Sequence, residues 1–182
     1  MSIGDGLSLG LNSLGVQSYN YNDYLVDFLE SQNKNVKYYN YSEKNISISE
    51  LTNDIIYLKD RNLKDYLKTS NLIILSIGEK EILDDKNIEI IEEDLNNLVR
   101  ELKKYNNNIC LLSRYNINEK QYSKIKNINE VYKQIAHKNN IIYINIDQNN
   151  YYINAEYNYP TTNGHKEISK MIIKAMDIVT DF

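Results

Sequence analysis

Three short segments of this chain hold the residue types from which a catalytic or binding site can be assembled. Near the start, Gly4-Asp5-Gly6-Leu7-Ser8 sets a carboxylate and a hydroxyl among glycines, and in the middle Gly78-Glu79-Lys80-Glu81 crowds two carboxylates around an ammonium. Toward the end, Glu156-Tyr157-Asn158-Tyr159-Pro160 runs into Thr161-Thr162-Asn163-Gly164-His165. A carboxylate set such as Asp5, Glu79, Glu81 and Glu156 is what glycoside hydrolysis or cation binding requires. Against that, Glu79 and Glu81 follow a strand, where charged residues usually face solvent, and Asp5 is placed to accept N–H groups of its own turn. A nucleophile needs a base within hydrogen-bond reach. Ser8 is the hydroxyl nearest Gly6, but two positions along a strand-to-helix turn it points away and has no histidine beside it. Of the two histidines, His165 reads as a capping or packing residue at the start of the last helix, and His137, next to Lys138, as solvated. Cys110 sits in Ile109-Cys110-Leu111-Leu112 and reads as a buried, inert thiol.

The elements that must position these residues alternate. Apolar runs at Val36–Tyr41, Leu72–Ile77, Ile109–Leu112 and Ile141–Ile146 read as buried parallel strands. Between them, apolar residues at three-and-four spacing predict helices over Tyr21–Gln32, Ser49–Leu67 with Ser49 as its cap, Asn87–Tyr105, Ile125–His137 and Thr162–Val179. A short strand at Met1-Ser2-Ile3 opens the series. Strand and helix in alternation predict a three-layer α/β/α sandwich with a parallel sheet of about five strands, connected by right-handed crossovers. In such a sheet ligands bind beyond the strands' carboxyl ends, where strand order reverses. That directs attention to the loops Gly4–Gly15, Tyr41–Ser49, Ile77–Lys86, Ser113–Asn118 and Asp147–Asn163.

Composition narrows the function classes. At 182 residues the chain reads as one domain, 1–182. A net charge of −4 with interleaved signs gives no basic stripe, so nucleic acid is not an expected partner. No run approaches the ~20 apolar residues of a membrane span, and no charged-then-apolar leader begins the sequence. A lone cysteine excludes a disulfide framework. The abrupt start, with Gly4-Asp5-Gly6 almost at once, is read as a short first strand or as a chain trimmed upstream of a removed anchor or signal. In the second case the protein is extracytoplasmic, and otherwise cytoplasmic.

Gly4-Asp5-Gly6-Leu7-Ser8, directly after the first strand, resembles the Gly-Asp-Ser-Leu-Ser block that opens the SGNH/GDSL hydrolases, proteins of flavodoxin-like architecture. Tyr159-Pro160-Thr161-Thr162-Asn163-Gly164-His165 resembles that family's closing block, Asp-x-x-His-Pro-Asn-x-x-Gly-His, entering the last helix. The resemblance spans almost the whole chain, and it implies that a serine attacks an ester carbonyl while a histidine, oriented by an aspartate, takes its proton. Here the serine position falls on Gly6, the histidine position on Tyr159 and the aspartate position on Glu156. Lys80 stands for the asparagine that helps bind the oxyanion, and residues 45–49 lack the glycine that completes the oxyanion hole. His165 matches the second, non-catalytic histidine.

No signature catalytic residue is intact. The implied function is that of an SGNH-fold pseudoenzyme acting as a binding or scaffolding module, needing no cofactor or metal, with a protein or glycan partner in the bacterial cell envelope. The alternative is an active esterase or carbohydrate deacetylase using non-standard residues. A pocket edge of Asp5, Ser8, Glu79, Lys80, Tyr157, Tyr159 and His165 is expected, in which Lys80 either pairs with Glu156, Glu79 or Asp5 and closes the old cleft, or projects unpaired beside Tyr157 and Tyr159 toward an anionic or sugar-containing ligand. The 17 tyrosines mostly follow compositional bias, but rings in the final loop could stack on a sugar.

Overall fold

The computed structural model describes residues 1–115, 121–147 and 159–179. Strand β1 (Ser2–Gly4) leads into a single turn, α1 (Gly6–Leu9), and then α2 (Tyr21–Ser31). Next come β2 (Asn40–Ser42), α3 (Ile48–Ile56), α4 (Leu63–Thr69), β3 (Ile73–Ser76), α5 (Glu79–Leu83) and α6 (Ile88–Lys103). The chain continues through β4 (Ile109–Leu112), α7 (Tyr122–Asn139), β5 (Ile142–Ile144) and α8 (Thr162–Val179). The five strands form one sheet in the order β2-β1-β3-β4-β5, parallel throughout. Helices α2 and α8 pack together, while α3, α6 and α7 form a second layer. Because β1 has β2 on one side and β3 on the other, strand order reverses at its carboxyl end, which opens a crevice between the loops after β1 and β3.

Strands β3 and β4 are buried along their whole length, as the continuous apolar runs require. Helix α6 carries the clearest stripe, with Ile91, Leu95, Leu98, Val99 and Leu102 all buried.

Most expected boundaries shift by no more than three residues, and two elements change more. The second strand is Asn40–Ser42 rather than Val36–Tyr41, because it extends only where β1 supplies a ladder. The predicted Ser49–Leu67 helix is two helices. It begins at Ser47, whose side chain accepts the Glu50 N–H at 3.1 Å while Glu50 accepts the Ser47 N–H at 2.8 Å, a reciprocal cap. It breaks at Leu58, whose φ of +47° ends the first helix in the left-handed conformation more often given to glycine. Two short helices, α1 and α5, fall in the loops after β1 and β3.

Candidate functional site

Asp5 leaves β1 and enters α1 as its N-cap, with the Leu7 N–H donating to its Oδ1 at 3.3 Å. Its other oxygen accepts the Glu79 N–H at 3.0 Å, joining the turn after β1 to the turn after β3. The same oxygen accepts from Arg114 Nη1 at 2.8 Å, and Arg114 stands just beyond β4. One carboxylate therefore holds the carboxyl ends of three strands. Both side chains are almost completely buried, at 0% and 1% exposure. Arg114 also donates to Ser76 Oγ at 3.3 Å and lies over the Tyr115 ring, while Asn129 of α7 clamps its backbone through two bonds of 2.7 Å. Burial raises the Asp5 pKa, and the guanidinium opposes that shift.

Glu79, the first residue of α5, is buried against this pair, and the Tyr159 hydroxyl donates to its Oε1 at 2.6 Å. The Gly6 N–H faces the same carboxylate. Glu79 Oε2 has no hydrogen bond among the described residues. Burial, and next the charge of Asp5, raise the Glu79 pKa, so it keeps its proton to higher pH than an ordinary glutamate. Burial and the neighbouring carboxylate raise the Tyr159 pKa as well, which leaves its hydroxyl a donor rather than a base.

Gly6 is where the resemblance sets a nucleophile. A Cβ built there would lie 2.4 Å from Tyr159 Oη and 2.6 to 2.7 Å from two ring carbons. The tyrosine ring thus lies across the space any side chain at position 6 would need. Tyrosine and glycine fill one volume between them, and the crevice at this point holds protein rather than solvent.

The remaining expected residues are dispersed. Ser8 is buried and directed inward, bonding the Ile3 carbonyl at 3.3 Å and the Tyr21 hydroxyl at 3.1 Å. His165 is fully buried, its Nε2 against the Leu11 carbonyl at 2.9 Å and its ring stacked on Tyr21, and burial lowers its pKa. Lys80 does not join the crevice. It pairs at 3.0 Å with Glu50 near the protein surface, so the cation among the buried acids is Arg114 instead. Lys80 sits on α5 one residue after Glu79, and that single step turns its side chain by about 100° around the helix axis, away from the crevice. The expectation that Glu79 and Glu81 face solvent also fails. Both are buried, and Glu81 accepts the Ile48 N–H at 2.9 Å, supplying a partner for the start of α3. Glu156 and Tyr157 lie outside the described residues. Among the described residues no group of three or more acidic, histidine or cysteine side chains could hold a metal, and no helix is long and apolar enough to cross a membrane. Arg114 escaped the sequence reading. The signal for it was an arginine two residues past the end of a wholly apolar strand, on the side where ligands are expected.

No protein-family model matches this sequence, and no curated protein matches it. Solved structures do. A catalytic mutant of an acetylxylan esterase from Geobacillus stearothermophilus superposes with a TM-score of 0.75 at 16% identity, covering 96% of this chain and 91% of that one. A psychrotrophic esterase from Pseudoalteromonas sp. gives 0.74 at 16% identity over 100% and 99%. A lipase/acylhydrolase from Enterococcus faecalis gives 0.76 at 12% identity over 95% and 93%. At these identities the likeness is one of fold.

Proposed function

We propose that this chain, an SGNH-hydrolase fold by its sheet order and by its likeness to solved esterases, is a non-catalytic binding or scaffolding module. The observation that carries the reading is the contact between Gly6 and Tyr159. Acyl transfer needs a nucleophile at the mouth of the crevice and a base beside it. Here the first position has no side chain, and the second bears a phenol that donates to Glu79 and blocks the first. The Gly6 N–H, a group of the kind that binds an oxyanion, faces a carboxylate instead. An active esterase or deacetylase would have to recruit Ser8, which is buried and already bonded to Ile3 and Tyr21. The partner class in this reading is a protein or a glycan, with cell-wall glycans the first to screen.

The test is turnover and labelling together. Incubated with p-nitrophenyl acetate, the protein should release nitrophenol no faster than buffer with an equal mass of unrelated protein. A fluorophosphonate probe should leave its intact mass unchanged. Saturable turnover, or a stoichiometric adduct on any serine, would overturn the proposal.

A further inference from the structure

A second feature lies away from the Gly6–Tyr159 crevice and shares no residue with it. A cleft of about 570 Å³ runs beside β2, lined by Asn40, Tyr41, Ser42, Glu43 and Ile46 on one side and residues 59–62 on the other. That volume falls in the range of ligand sites. Successive strand residues point to opposite faces of a sheet. Four consecutive residues lining one cleft therefore mean that it follows the strand's edge rather than one of its faces.

That edge is open. Among the described residues, strand β2 is terminal in the sheet and pairs with β1 alone. In a parallel ladder alternate residues direct both backbone groups to the same neighbour. The Ser2 N–H donates to the Tyr39 carbonyl at 2.9 Å and the Glu43 N–H to the Gly4 carbonyl at 3.0 Å, so residues 39, 41 and 43 face β1. Asn40 and Ser42 consequently direct their N–H and C=O groups away from β1, and no backbone bond from another described element reaches them. The Ser42 hydroxyl is also buried, with no hydrogen-bond partner among the described residues. An edge of unpaired backbone groups such as this is a template for pairing with another extended chain. The cleft also holds charges of both signs. Lys59 is engaged by Asp54 at 3.3 Å, and Asp60 accepts the Asn62 N–H at 2.7 Å. Arg61 and Glu43 have no ion pair among the described residues, and both are exposed.

We infer that this edge is a docking site for an extended peptide segment of a partner protein, which adds as a further strand beside β2. The segment would carry one acidic residue for Arg61 and one basic residue for Glu43. A peptide offers N–H and C=O groups at the two-residue repeat that Asn40 and Ser42 present, which a saccharide's hydroxyls do not. Tyr41 and Ile46 supply apolar wall for a side chain between the two charges. Three or four residues of partner match the length of β2.

The test is an amide chemical-shift titration of the labelled protein with acetyl-Lys-Thr-Val-Glu-amide. Controls are the same peptide with both charged residues replaced by Gln, the same peptide with alternate backbone amides N-methylated, and glucuronic acid as a saccharide probe. Shifts should concentrate at residues 40–43 and 59–62, be lost with the N-methylated peptide, and weaken about threefold for Arg61→Gln, which loses one exposed ion pair, and about tenfold for the uncharged peptide, which loses two. Ser42→Pro removes an N–H that β1 does not use, so it should abolish binding while leaving distant resonances in place. If that variant fails to fold, the N-methylated peptide still decides. Equal binding of the N-methylated peptide, shifts outside the cleft, no shifts at all, or binding of glucuronic acid in preference to the peptide would each overturn the inference.

Discussion

Replacing Arg114 with Met removes the cation from a carboxylate that water does not reach. Asp5 and Arg114 are buried to 0% and 1% exposure and meet at 2.8 Å, so neither charge can recover hydration when its partner is lost. Breaking one side of a fully buried pair costs about 3–5 kcal/mol, several times the value of a surface pair. Unfolding entropy near 60 °C is about 2.1 cal/mol/K per residue, or about 0.4 kcal/mol/K for a chain of 182 residues, so the melting temperature should fall by about 8–13 °C. Differential scanning calorimetry of the wild type, Arg114→Met, Asp5→Asn and the double variant measures this. The double variant leaves no buried charge uncompensated at either position. It should therefore melt above Arg114→Met alone, with a total loss well short of the two single losses added together. A drop below about 3 °C for Arg114→Met, or simple additivity in the double variant, would refute the claim that this pair locks the three strand ends.

Glu79→Gln keeps an acceptor for the Tyr159 hydroxyl and removes a titration. Since the folded carboxyl holds its proton to higher pH than the unfolded one, the native state binds more protons between the two pKa values, and stability falls as pH rises through that window. Urea midpoints should thus favour Glu79→Gln at pH 8, with the advantage gone below about pH 4, where the unfolded glutamate is itself protonated; an advantage independent of pH would sink this account. Gly6→Ser forces a Cβ into the Tyr159 ring and should cost about 1–3 kcal/mol by denaturant titration, without producing esterase activity. Placing serine and histidine at the two positions that the sequence resemblance marks, Gly6→Ser with Tyr159→His, should recover part of that loss because the smaller ring vacates the space. A double variant less stable than Gly6→Ser alone would contradict the shared-volume picture.

The layer order and most elements could be read from the chain because their signals are local. The apolar runs of β3 and β4 and the stripe on α6 need no knowledge of neighbours. The break between α3 and α4 could not be read, since the apolar spacing continues through Leu58 and nothing in a leucine announces a positive φ. The site divides in the same way. Gly6 and Tyr159 were recognisable because each stands in a pattern with a known neighbour. Lys80 was misplaced because an alignment column gives no side-chain direction, and a single helical step carries it to the surface beside Glu50. Arg114 was missed because its partner lies far away in sequence, and burial of a charge can be inferred only once that partner is known.

Asp5 is separated by 74 residues from the Glu79 N–H it accepts and by 109 from Arg114. Contacts spanning such loops form only after the intervening chain has been ordered, because closure entropy precedes the reward. If the three-way junction forms late on the route to the native state, it is also among the first contacts to open on the way out. Interactions absent from the folding transition state show their effect on the unfolding limb. The buried cluster at the strand ends would then act as a kinetic latch, setting how long the folded domain persists while leaving the time it takes to fold almost untouched.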